Sequence, residues 1–107
     1  MERGLPPLLA TRSDRIAQTL AALGSEQRLT LLRALIAKPR SAQELQAALG
    51  ATSPGPLYHH LKELVALGLV EQPERSEYRI RARYVVPLLA IVSAALDIAT
   101  KRRDEDE

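Results

Sequence analysis

The stretch from Ser41 to Gly68, SAQELQAALGATSPGPLYHHLKELVALG, sets two helix beginnings and two helix ends close together, and that punctuation leaves few folds open. Ser41 and Glu44 have the spacing of a capping box, in which each side chain satisfies a backbone amide at a helix start. Ala42, Leu45 and Leu49 then fall on one face, and Gly50 stops the helix. A second start follows almost at once. Ser53 is expected to cap it, with Pro54 in the first turn, where a missing amide hydrogen costs nothing. This helix is read over residues 53–67 and closes at Gly68.

A short helix, a tight glycine-containing turn and a longer helix make a helix-turn-helix pair. Two further helices are predicted before it. Thr11 or Ser13 begins one with Ile16, Ala17, Leu20 and Leu23 on a common face, and Gly24 ends it. Ser25 caps the next, whose Leu29, Leu32, Leu35 and Ile36 keep the helical period until Lys38 and Pro39. Residues 1–12, with Gly4, Pro6 and Pro7, read as a flexible N-terminal arm.

After Gly68 the pattern changes from helical to alternating. Leu69–Gln72 and Glu77–Tyr84 are predicted as two strands around the turn Pro73–Ser76. In the second strand Tyr78, Ile80 and Ala82 share one face, which leaves Glu77, Arg79, Arg81 and Arg83 on the other as an arginine-lined outer surface. A last helix is expected over 84–100, apolar nearly all round, with Ser93 and Asp97 as its clear polar positions before Thr100. Residues 101–107 form a charged tail, whose acidic last four residues are read as a frayed, solvated end. The fold class is therefore mainly α with a small β-hairpin, a winged helix-turn-helix with the order α-α-α-α-β-β-α, carried by residues 13–100.

Charge and composition narrow the function. The net charge is +2, yet residues 1–103 carry 15 basic against 9 acidic side chains, because the last four residues are all acidic. A body of that sign can approach a polyanion. The absence of cysteine excludes disulfides, thiolate metal sites and cysteine nucleophiles. The most apolar run, YVVPLLAIVSAAL, falls short of the roughly 20 residues that span a bilayer, and the reading is a soluble, cytoplasmic protein without a membrane partner.

His59 and His60, the only histidines, invite a metal or catalytic reading. On a helix they diverge: His59 lies roughly 200° from Leu57, away from the face made by Leu57, Leu61 and Leu64, whereas His60 lies roughly 60° from that face's centre. Metal chelation by a helix needs ligands that converge, such as histidines four residues apart. His60 is expected to be half-buried and bonded to backbone, and His59 to face outward. No paired carboxylates, phosphate loop or nucleophile elbow accompanies them, so no catalytic residue, metal or cofactor is assigned, and the chain is not read as an enzyme.

LGSEQRLTLLRAL, SAQEL and YHHLKELVALGLVE followed by a basic hairpin together resemble the ArsR-type winged helix-turn-helix regulators over roughly residues 13–100. His60-Leu61 with Lys62, Leu64 and the closing GLVE carry the most specific part of the likeness. The resemblance implies a DNA-binding transcriptional regulator, a dimeric repressor, whose fourth helix enters the major groove while the hairpin reaches the flanking backbone or minor groove. It assigns base-facing roles to Gly55, Pro56, Tyr58 and His59 and a phosphate role to Lys62. Ser53 at the helix start and Arg75, Arg79 and Arg81 on the hairpin complete the expected DNA surface.

The Pro54-Gly55-Pro56 start departs from the polar side chains usual in such regulators, which implies reliance on DNA shape and phosphates or weak sequence discrimination. A second departure is the lack of cysteines or acid–histidine clusters on the last helix, which disfavours metal sensing and leaves an effector unassigned. The apolar surface of that helix exceeds what a small core can cover. A two-fold homodimer is therefore predicted through Leu20, Val85, Leu88, Leu89, Val92 and Leu96. The competing reading from another class is a winged-helix protein-interaction module whose arginines meet an acidic partner.

Overall fold

The structure, a computed structural model, describes residues 13–50 and 53–106. The expected N-terminal arm, the Thr11 cap and the final residue lie outside them. In chain order the elements are α1 (Ser13–Leu23), α2 (Glu26–Ala37), α3 (Ala42–Leu49), α4 (Gly55–Ala66), β1 (Val70–Glu74), β2 (Glu77–Ile80) and α5 (Ala82–Asp106). The order is the predicted winged helix-turn-helix.

Capping chemistry explains most of the boundaries. The Ser25 hydroxyl accepts from the Arg28 amide at 3.3 Å and starts α2. At α3 both arms of the capping box are made: Glu44 N–H donates to Ser41 Oγ at 3.1 Å, and Ser41 N–H to Glu44 Oε1 at 2.9 Å. These bonds favour the carboxylate, and the Ser41 amide is the main reason the Glu44 pKa is lowered. Gly68, at φ 81°, closes α4 with two reverse bonds, Gly68 N–H to Val65 and Leu69 N–H to Leu64. That is a Schellman ending, and Leu69 and Leu64 supply its apolar contact in the core.

The start of α4 differs from expectation. Ser53 does not cap it; Pro54 occupies the cap and no side-chain cap bond forms. Four amides at a helix start ordinarily lack partners. Here Pro54 and Pro56 have no amide hydrogen, so only Gly55 and Leu57 carry such donors, and a side-chain cap has less to satisfy.

Leu31 and Leu32 of α2, Leu45 of α3 and Leu57, Leu61 and Leu64 of α4 are the buried centre of the core. Val70, Tyr78 and Ile80 of the hairpin and Leu88 of α5 close it. The strands pair antiparallel with Val70 opposite Ile80, Glu71 opposite Arg79 and Glu74 opposite Glu77, with an irregularity between Glu71 and Glu74. A single bridge between Arg40 and Tyr78, with bonds of 3.0 and 2.8 Å, ties the hairpin to the α2–α3 connection.

The second strand ends at Ile80, not Tyr84, because α5 begins at Ala82. Alternation predicts Ala82 inward and Arg81 and Arg83 outward on the strand. Instead Arg81 occupies the junction and Ala82, Arg83 and Tyr84 form the first turn of α5, with Tyr84 N–H bonded to the Arg81 carbonyl at 2.9 Å. Pro87 accordingly lies inside the helix rather than in its first turn. The same helix runs on through the charged tail to Asp106, into the acidic end expected to fray, and Lys101 pairs with Asp97 at 3.0 Å. At this length α5 is long and apolar enough to cross a membrane by length and composition, correcting the expectation drawn from the shorter run. Yet Leu88 is buried in the domain's core, with Tyr84, Val85 and Ile91 packed against it.

Candidate nucleic-acid interface

Because Leu57, Leu61 and Leu64 are pulled into the core, α4 must present the opposite side of its cylinder. Gly55, Pro56, Tyr58, His59 and Lys62 are all exposed there, and Tyr58 keeps 51% of its surface. Ser53 is exposed just before the helix, its carbonyl accepting from Gln46 Nε2 at 2.9 Å, which locks the turn to α3. Gly55 needs no unusual backbone angle, and a Cβ built on it would meet nothing within 4 Å. Its small size is thus not demanded by the fold.

The two histidines separate as the helical geometry predicts. His59 is exposed; His60 is half-buried. The partner of His60 is not backbone, as expected, but Arg28 on α2, whose Nε donates to His60 Nδ1 at 3.1 Å. Desolvation, the Arg28 charge and the neighbouring His59, in that order, lower the His60 pKa. A neutral ring is what this bond requires, since a protonated Nδ1 cannot accept.

Between α4 and the hairpin lies an open cleft of about 360 Å³ lined by Tyr58, Leu61, Lys62, Val65, Gln72 and Tyr78. Burial, and then the neighbouring Tyr58, raise the pKa of Tyr78. Its ring forms part of the floor while Lys62 brings a cation to the rim.

The hairpin is not the arginine-lined surface predicted. Arg79 Nε is held by Glu71 Oε1 at 2.9 Å, and Arg81 is half-buried with its Nε inside the protein. Arg83, on α5, lies over the Tyr84 ring at 5.9 Å from its centroid. Arg75 is exposed at the hairpin turn and forms no ion pair among the described residues. The sequence reading missed Glu71 and Arg28, the partners that decide how Arg79 and His60 are held. Glu71 was findable by pairing the strands across the turn; Arg28 was not, since no local pattern joins α2 to α4.

A second surface lies across α1 and α5. Leu20 is 52% exposed, Leu89 45% and Leu96 66%, while Val85 and Val92 are half-buried. Leu88, expected in a subunit interface, is 2% exposed and belongs to the chain's own core. It packs in the cluster with the hairpin residues Val70, Tyr78 and Ile80. Ile16, expected on the apolar face of α1, is exposed as well, and so are Val86 and Ile98, which were not assigned to the interface from the sequence. Arg15, Ile16, Thr19, Leu20 and Ile91 line an open apolar groove of about 310 Å³ between the two helices.

Comparison with known proteins agrees with this geometry. The profile of a family described as a helix-turn-helix domain matches residues 23–73. Among curated proteins, none matches the sequence. In three dimensions the chain is similar to the homodimeric winged helix-turn-helix DNA-binding domain (fragment 1–100) of Mb0332 from Mycobacterium bovis, a possible ArsR-family transcriptional regulator. The identity is 27% and the TM-score 0.69, over 94% of this chain and 95% of that one. HlyU from Vibrio cholerae is similar at 26% identity and TM-score 0.67, over 79% and 95% of the two chains. The transcriptional repressor BigR from Xylella fastidiosa shares the fold at 23% identity and TM-score 0.67, over 81% and 91%.

Fold, exposed helix face and likenesses together define the class: the chain is a winged helix-turn-helix protein, similar to a DNA-binding domain of a possible transcriptional regulator. Within that class its resemblance is to the regulators of the ArsR type.

Proposed function

We propose that the protein is a homodimeric repressor that inserts α4 into the major groove of an operator. The observation that carries this reading is the outward face of α4, where Tyr58, His59 and Lys62 stand exposed on a helix fixed to the core by three buried leucines. Lys62 serves as a phosphate contact; Tyr58 and His59 supply the side chains that reach base edges or stack on the sugar-phosphate wall. Pro56 and Gly55 contribute no side-chain hydrogen bond, so close approach and DNA shape carry part of the recognition. Arg75, at the free end of the hairpin, is the wing cation placed for the flanking backbone.

Two copies joined through α1 and α5 present two such helices to half-sites about one duplex turn apart. The support is the apolar surface left by Leu20, Leu89 and Leu96, together with the homodimeric state of the Mb0332 domain. Repression follows from occlusion of a promoter by the bound dimer, and the protein works in the cytoplasm beside the chromosome.

The experiment is selection of bound fragments from genomic DNA, followed by salt-titrated anisotropy on the recovered duplex. Lys62→Ala should weaken binding on all sequences and reduce the slope of log affinity against log salt by about 0.9. His59→Ala should change the order of preference among sequences. Absence of affinity for any duplex at low salt would sink the reading and leave a protein-interaction module.

A further inference from the structure

The hairpin carries its charge in an order that a DNA-contacting wing would not need. From Val70 to Ile80 it has Glu71, Glu74 and Glu77 against Arg75 and Arg79, so acids outnumber bases. The register makes this sharper. Glu71 stands directly opposite Arg79, and their side chains meet at 2.9 Å. Glu74 stands directly opposite Glu77, two like charges with no cation between them in register. Like charges directly opposite disfavour the pairing, so nothing in hairpin stability accounts for both acids.

Cross-strand partners are neighbours on one face of the hairpin, and half of the Arg79 side chain is open to solvent. An approaching phosphate and the Glu71 carboxylate therefore seek the same guanidinium. Both bind it by charge-assisted hydrogen bonds. While the Glu71 bond lasts, Arg79 offers the duplex little net charge, and the two carboxylates nearer the turn repel it.

Resting on the DNA-binding reading above, we infer that Glu71 is an intramolecular competitor for DNA phosphate: it withholds Arg79 from the duplex and so sets the affinity and salt response of the wing. The wing then engages the backbone only by breaking this pair. Arg75, which has no such partner among the described residues, makes the first contact. The regulator is held to a weaker grip than its count of basic residues would give, which suits a repressor that must leave its site.

Salt-titrated anisotropy with a fluorescent mixed-sequence duplex tests this on the full chain, comparing wild type, Glu71→Gln, Arg79→Gln and the double variant. Glu71→Gln keeps the side chain's size and removes its charge. Neutralising one further phosphate adds about 0.9 to the salt slope, which corresponds to roughly eightfold tighter binding at 0.1 M salt relative to a 1 M reference. The expected result is that tightening in Glu71→Gln, binding no tighter than wild type in Arg79→Gln, and no tightening of the double variant over Arg79→Gln. Unchanged or weaker binding by Glu71→Gln overturns the inference, and so does a tightening that persists without Arg79, since that would be bulk charge rather than competition. Wild-type affinity for the duplex is read in the same titration; its absence overturns the DNA-binding reading itself and is distinguished from the other two results. Melting curves of all four proteins confirm that each is folded.

Discussion

Replacing Leu96 by aspartate should break the proposed dimer while leaving each chain folded. Leu96 is 66% exposed in the single chain and has no place in the core cluster. Full burial of a leucine side chain is worth about 1.5–3 kcal/mol, so covering the exposed two-thirds contributes roughly 1–2 kcal/mol. Two-fold symmetry counts the residue twice, giving roughly 2–4 kcal/mol per dimer. At about 1.4 kcal/mol per tenfold, the dissociation constant should rise roughly 30- to 700-fold, before the added cost of burying a carboxylate. Sedimentation equilibrium over a dilution series measures both constants, and circular dichroism checks that the helices remain. Leu88→Ala provides the contrast, since Leu88 is buried in its own chain and its truncation should cost about 2–5 kcal/mol of folding stability. Equal dimer constants for wild type and Leu96→Asp, or a wild-type monomer at micromolar concentration, would refute the assignment of α5 to the subunit interface.

Gly55→Ala should leave the melting temperature unchanged or raise it, by up to about 1 kcal/mol in stability, because the position has ordinary backbone angles and open space; its DNA affinity should fall severalfold, and unchanged affinity would remove Gly55 from the interface. Arg28 and His60 should make stability pH-dependent. The folded chain holds His60 below the ordinary imidazole value of 6.5, so the unfolded chain takes up the proton first as pH falls. Stability is therefore full above about 6.5 and declines as pH drops from there through the lower folded value, and His60→Gln should flatten that decline in denaturant titrations. Gly68→Ala should cost roughly 1–2 kcal/mol in the same assay, since the Schellman ending of α4 needs a left-handed residue at φ 81°.

Local chemistry is what made the helices legible. The Ser41–Glu44 box, the Gly50 and Gly68 stops and the 3.6-residue spacing of Leu57, Leu61 and Leu64 act within a few residues, and the structure carries them as read. The split between His59 and His60 is of the same kind, because it depends only on 100° per residue. Where the reading failed, the deciding interaction came from elsewhere in the chain or from a boundary. Ser53 looked like a cap, but two prolines remove the donors that a cap would satisfy. Arg81 and Arg83 looked like strand residues because alternation continued past Ile80, whereas α5 had already begun.

The sequence by itself determined the order of elements, the helix-turn-helix and the face of α4 that turns outward, since backbone capping and side-chain periodicity are local. Tertiary structure alone decided which charges are free. Arg79 is held by Glu71 because two strands were brought into register, and His60 accepts from Arg28 because α2 packs beside α4. Leu88 went to the core, and Leu89 and Leu96 to the surface, because only one side of α5 packs on the rest of the chain. Such pairings form between residues far apart along the chain, and only the packed fold sets their distance.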